Sequence, residues 1–156
     1  MIHFEGEERF TLPLERVRAA LSDGTFLVEA QTNVHSVMES TPDRASWKLK
    51  PNFSFLSGTL DTTLQVVERT EGATHFEIAS KSIGATSKVI AHLTFLPDEE
   101  GTRVRWTADI LELKGLLKLV PRPLIQATAQ KVIADVWADI GVKFRGEAES
   151  QSLKRI

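Results

Sequence analysis

From Asn33 to Glu112 apolar residues return at every second position, and from Pro123 to about Arg145 they return at every third or fourth. The first period is that of a half-buried strand and the second that of an amphipathic helix. Val34, Ser36 and Met38 share one face of the first alternating segment, with His35, Val37 and Glu39 on the other. Trp47 and Leu49 follow, then Leu60, Thr62, Leu64 and Val66, then Phe76 and Ile78. Val89, Ala91, Leu93 and Phe95 make the next set, and Val104, Trp106, Ala108 and Ile110 the last. Turn residues separate the sets: Thr41-Pro42-Asp43, Pro51-Asn52 (followed by Phe53-Ser54-Phe55), Glu71-Gly72, Gly84, and Pro97 to Gly101. Consecutive strands joined by short turns predict an antiparallel meander.

Ahead of this region, residues 2–10 set Phe4 and Phe10 among Glu and Arg and read as a strand. Pro13 suits a first helical turn, and Leu14, Val17, Ala20 and Leu21 recur at helical spacing until Asp23-Gly24. A second short helix is predicted over Thr25–Ala30. In the tail, Ile125, Ala129, Val132, Ile133, Val136, Trp137, Ile140 and Phe144 fall within an arc of about 140°, opposite Lys131, Asp135 and Asp139. So wide a stripe on a helix about 34 Å long needs a cover as large as the sheet. The expected class is α+β: a curved seven-stranded antiparallel sheet around a long C-terminal helix, with two short helices after the first strand. Residues 1–146 are the expected domain, and 147–156 a polar, frayed tail.

Composition removes several functions. With 156 residues the chain has the size of one domain. Nineteen Lys and Arg against 21 Asp and Glu leave a net charge of −2, which argues against a nucleic-acid surface. There is no cysteine and no tyrosine, so thiolate chemistry, disulfides and phenol catalysis are excluded. The N-terminus does not read as a secretory signal, and no window holds about 18 consecutive apolar residues. A cytoplasmic protein without a transmembrane segment is the expectation.

Several strings match a known family as well as the layout does. They are Phe4-Glu5-Gly6, Leu12-Pro13-Leu14-Glu15-Arg16-Val17, Trp47-Lys48-Leu49-Lys50-Pro51, Phe55-Leu56-Ser57-Gly58-Thr59-Leu60 and Val104-Arg105-Trp106-Thr107-Ala108-Asp109. Over about residues 2–145 the chain resembles the START-like (SRPBCC) superfamily, and within it is most similar to the G-subunit group of carbon monoxide dehydrogenase. The resemblance implies a helix-grip fold with a cavity between sheet and helix, related to polyketide cyclases and lipid-transfer proteins. It implies no common catalytic motif. The chain differs in carrying Gln31-Thr32-Asn33-Val34 where members often have a Pro-Gly pair. It also lacks the hydrophobic C-terminal extension proposed to anchor such proteins, so recruitment by such a tail is not expected.

Candidate chemistry is sparse. His3, His35, His75 and His92 show no metal-ligand spacing. A turn near Gly84 would bring His75 opposite His92, on the face away from Phe76 and Leu93, as a solvated pair. No metal site and no cofactor are assigned. Glu5, Glu7 and Glu8 are expected on the wet side of their strand, and Asp109 and Glu77 on outward faces, so no catalytic acid or base is assigned either. No nucleophile elbow and no glycine-rich phosphate loop is present. The segment Lys114–Arg122 mixes Lys114, Lys118 and Arg122 with Leu116, Leu117, Leu119 and Val120. Such a segment suits a membrane surface or a partner, but the preferred reading is a gate packed on the mouth of the sheet.

What remains is an apolar lining. Parity and pairing give Met38, Trp47, Leu64, Phe76, Ile78, Ala91, Leu93, Trp106, Ala108 and Ile110 on the inner sheet face, with Ser36 and Thr62 as polar members. Ile125, Ala129, Val132 and Val136 face them from the helix, and Phe55 lies near the mouth in a lid segment, Pro51–Leu56. Small residues among large ones, together with the resemblance, predict an enclosed cavity of about 300–1,000 Å³. The leading expectation is a non-enzymatic binder of a small hydrophobic molecule. The alternatives are an accessory or assembly protein of a carbon monoxide dehydrogenase-type oxidoreductase, favoured by an exposed apolar patch near Leu116–Leu124, and a polyketide cyclase/dehydrase-like enzyme.

Overall fold

The alternating segments form strands and the helical segments form helices, in the expected order. The computed structural model describes residues 1–50 and 58–154, with side chains through Glu147. Strand β1 (Ile2–Phe10) leads into helices α1 (Leu14–Leu21) and α2 (Gly24–Ala30). Strands β2 (Val34–Ser40), β3 (Arg44–Leu49), β4 (Leu60–Arg69), β5 (Ala73–Ser82), β6 (Ala85–Asp98) and β7 (Gly101–Gly115) follow. A 3₁₀ turn (Leu116–Leu119) then precedes the long helix α3 (Arg122–Lys154). The sheet order is β1-β7-β6-β5-β4-β3-β2, with every pairing antiparallel. The first strand therefore closes on the last, and α1 and α2 carry the chain to the far edge.

Local chemistry explains the joints. Pro13 precedes α1, and its carbonyl accepts the N–H groups of Arg16 and Val17. Asp23 caps α2 by accepting the Thr25 N–H. Arg69 donates to the Ser22 and Pro42 carbonyls and pairs with Asp43, tying β4 to both the helices and the β2–β3 turn. Gly115 has a φ of 70°, and a Cβ there would lie 2.0 Å from the Gly84 carbonyl oxygen, so only glycine fits where β7 ends. Bulges in β2, between Val66 and Glu68, and between Lys88 and Val89 bend the sheet.

The core has two parts. One centres on Val17, Leu21, Phe26, Trp47, Val104 and Phe144, where α1, α2 and the far half of α3 meet the sheet. The other joins Ile2, Phe4, Ala85, Ile110, Leu117 and Ile125 at the opposite end. Trp106 packs against both. Trp106 and Trp137 are each partly rather than fully buried, with ring centroids 6.2 Å apart.

Helix α3 runs to Lys154, beyond the expected end near Arg145. The Glu147 carboxylate accepts a hydrogen bond from Arg16 of α1, and the chain after it contains no proline. Once a helix is nucleated, each further residue adds a hydrogen bond without a new nucleation cost, so an apolar stripe is not required for it to continue. The polar segment 147–154 is thus helical rather than frayed.

Candidate functional site

The pairing register decides which side chains line the concave face. Ala45, Leu64, Ile78, Val89 and Ile110 lie on one continuous line of partners across β3 to β7. Trp47, Thr62, Ser80 and Ser87 form the neighbouring line. Thr62 and Ser80 share a hydroxyl–hydroxyl hydrogen bond of 3.3 Å. Between the two buried clusters, Ile78, Val89, Ala91, Ala108, Ala129 and Val136 remain partly exposed. The most thoroughly buried apolar side chains therefore lie at the two ends, with a less covered strip of small and medium apolar residues between.

Of the expected lining, Trp47, Thr62, Leu64, Phe76, Leu93, Ile110 and Ile125 are buried. Ile78, Ala91, Trp106, Ala108, Ala129 and Val136 are partly exposed, and Phe55 lies outside the described residues, as does the lid segment. Three residues depart from the expected placement. Ser36 pairs with Lys48, whereas Val37 pairs with Trp47 on the inner face. Bulges on either side of Ser36–Val37 each insert a residue and reverse the alternation, so Ser36 turns outward. Met38, at the second bulge, is 50% exposed. Val132 is 41% exposed because it sits at the edge of the α3 stripe, roughly 70° around the helix from its centre.

A groove of about 320 Å³, open to solvent rather than enclosed, runs between β1 and α3. Phe4, Trp106, Ile133, Ala134 and Trp137 form its apolar walls, and His3, Glu5, Glu8 and Gln130 its polar ones. Trp106 is the one residue of the expected lining that borders it. Its indole lies over Gly6: a Cβ there would be 2.5 Å from Cζ2 and 2.9 Å from Nε1. The glycine of the Phe4-Glu5-Gly6 string thus makes room for the ring. The buried Nε1–H of Trp106 has no hydrogen-bond partner among the described residues, and the same holds for Trp47. An orphaned buried donor costs about 1–3 kcal/mol.

Glu8, expected on the wet face, lies inward. It pairs with Val104, which is fully buried, while Glu5 and Glu7 point outward. Among the described residues it is the only carboxyl on the concave sheet face, and burial raises its pKa above the ordinary 4.5. The sequence carries the signal. Phe4, Gly6, Glu8 and Phe10 share parity, so the phenylalanines mark the inward face on which Glu8 also stands.

On the convex face His75 pairs with His92, with ring centroids 4.0 Å apart, and the His75 Nδ1 is 3.6 Å from a Glu68 carboxylate oxygen. Among the described residues no three His, Asp or Glu side chains gather to hold a metal ion. His3 donates to Asp109 at 2.6 Å at the groove rim, and that hydrogen bond raises the His3 pKa above 6.5.

A seven-stranded antiparallel sheet curved about a long C-terminal helix, with two short helices after its first strand, is the START-like helix-grip fold. Solved structures share it. A conserved protein from Geobacillus kaustophilus superposes with a TM-score of 0.80 at 15% identity, covering 93% of this chain and 96% of that one. A START superfamily protein from Mycobacterium smegmatis gives 0.65 at 9% identity, with coverages of 90% and 95%. A protein from Thermus thermophilus gives 0.63 at 18%, with coverages of 94% and 99%. No curated protein matches the sequence. The family profile of the carbon monoxide dehydrogenase G-subunit (CoxG) matches residues 6–144, and the chain belongs to that family. Among the described residues no helix is long and apolar enough to cross a membrane.

Proposed function

We propose that this protein binds a small, mostly apolar molecule between the concave face of the sheet and α3. The observation that carries the reading is the partly exposed strip Ile78, Val89, Ala91, Ala108, Ala129 and Val136 between two well-buried clusters. Apolar surface left accessible within a concave face is what such a ligand would cover, at roughly 25 cal/mol per Å² before association costs. Family membership and fold support it, since START-like proteins resemble one another in this layout. The groove beside Trp106 is a separate opening between β1 and α3, with a volume at the low end of ligand sites, about 300–1,000 Å³. The Thr62–Ser80 hydroxyls would take the polar end of the ligand.

Titration of an environment-sensitive apolar dye tests this. The wild type should bind with a blue shift, and Ala108→Trp should lose binding while unfolding cooperatively. No binding by the wild type, or equal binding by both, removes the reading. A second reading, an accessory role beside a carbon monoxide dehydrogenase-type oxidoreductase, is supported by the family description. It requires co-elution with the purified oxidoreductase in size-exclusion chromatography, and separate elution excludes it.

A further inference from the structure

We propose that the open groove between β1 and α3 binds a small organic ammonium ion, its charge on Glu8 and its apolar body against Trp106 and Trp137. This site stands apart from the concave-face strip and does not depend on the apolar-ligand reading. β1 is an edge strand of the sheet, beside β7, and the groove opens along it. The wall is aromatic where Glu8 stands. On the inward face of β1, Glu8 follows Gly6, which the Trp106 indole covers, and precedes Phe10. The Trp137 ring lies 6.2 Å from that of Trp106 and 6.3 Å from that of Phe10. The strand thus sets a carboxyl between two rings that a third one bridges.

The charges of the groove select the ligand. Its lining among the described residues holds no Lys or Arg. His3 at the rim is already matched, with Glu5 at 3.8 Å and Asp109 at 2.6 Å. Glu8 has neither an ion pair nor a hydrogen bond to any described residue, and burial raises its pKa, as expected for a carboxyl set down without a counter-charge. An ammonium ion supplies that charge. It brings up to three N–H donors, and Glu5 and the Gln130 side-chain oxygen are further acceptors on the same lining. Indole rings also attract a cation through their electron-rich faces. An anion would meet the Glu8 carboxylate with no lysine or arginine to offset it. A neutral apolar molecule would cut that carboxyl off from water and leave it unpaired. The volume of about 320 Å³ suits a ligand built on one aromatic ring.

The test is titration of the full chain with benzylammonium at neutral pH, read by tryptophan fluorescence. Benzyl alcohol serves as the neutral probe of the same shape and benzoate as the anionic one. Benzylammonium should give a saturable change and bind about tenfold more tightly than benzyl alcohol, the margin of a charge-assisted hydrogen bond over a neutral one. Benzoate should not bind. Glu8→Gln keeps the side-chain shape and removes the charge, and should weaken benzylammonium about tenfold while leaving benzyl alcohol unchanged. Ala134→Phe, at an exposed position on the α3 wall, should block the groove with an unchanged melting temperature. Binding of the apolar dye to the concave strip should persist in both variants and in the presence of benzylammonium, so the two readings fail separately. No saturable response, equal affinity for benzyl alcohol, or undiminished affinity in either variant overturns the proposal. So does displacement of the dye by benzylammonium, which would put the cation on the concave strip.

Discussion

Glu8 places a carboxyl on a surface where every neighbour along its strand face is apolar or glycine. The paired residue is fully buried Val104, and the groove walls beside it are Trp106 and Trp137. Removal from water penalises the carboxylate, so its folded-state pKa lies above the ordinary 4.5. The native state therefore binds this proton more tightly than the unfolded chain does. Stability attributable to this group is present at low pH and is lost as pH rises from about 4.5 through the raised folded value. Glu8→Gln should therefore raise the denaturation midpoint at pH 7, and the gain should shrink toward pH 4. Urea titrations at the two pH values check this. A variant less stable than wild type at pH 7 would mean that the charged form is held by a partner. Gly6 belongs to the same site: its missing side chain is the space that the Trp106 indole occupies.

Helix α3 shows how an element is held by contacts that its own periodicity announces. Phe144 is buried, with its ring 5.2 Å from that of Phe10 and 5.1 Å from that of Phe26. Arg16 stacks over both the Phe26 and Phe144 rings, at 6.0 and 5.9 Å, and binds Glu147 one turn on. One side chain thus joins β1, α2 and the far half of α3. Phe144→Ala should cost about 3–5 kcal/mol in chemical denaturation, the usual range for truncating a buried aromatic. A loss below about 1 kcal/mol would show that this half of the helix is not clamped to the sheet. The near half is held by Ile125 and Ala129 against the second cluster. The 3.6 period located this helix, but its full length follows from propagation, which leaves no periodic mark.

Across the whole molecule the two sheet faces are chemically distinct. The concave face gathers the apolar residues with Thr62 and Glu8, and the convex face carries His75, His92, Glu77 and Asp109. His75 and His92 meet across the ladder as the alternation predicts, with the sheet between them and α3. His75→Ala and His92→Ala should leave dye binding on the concave face unchanged. A binding loss in either variant, measured in the same titration, would place the ligand on the convex face instead.

The sequence by itself determined the elements, the antiparallel meander and the inward parity of β4 to β7, because strict alternation and the 3.6 period are local properties of neighbouring residues. The faces of Trp47, Thr62, Leu64, Phe76 and Ile110 were legible for that reason. Ser36 and Met38 were not, since a bulge shifts parity without altering composition. The expectation for Glu8 followed its charge rather than the parity it shares with Phe4 and Phe10. Only the tertiary structure decided that the core divides into two clusters, that the groove opens between β1 and α3, and that Leu116 meets the hairpin turn at Gly84. Each of these depends on how far α3 lies from each strand and on which distant turns come together. Those distances are set by packing among residues far apart in the chain, and no short window of sequence encodes them.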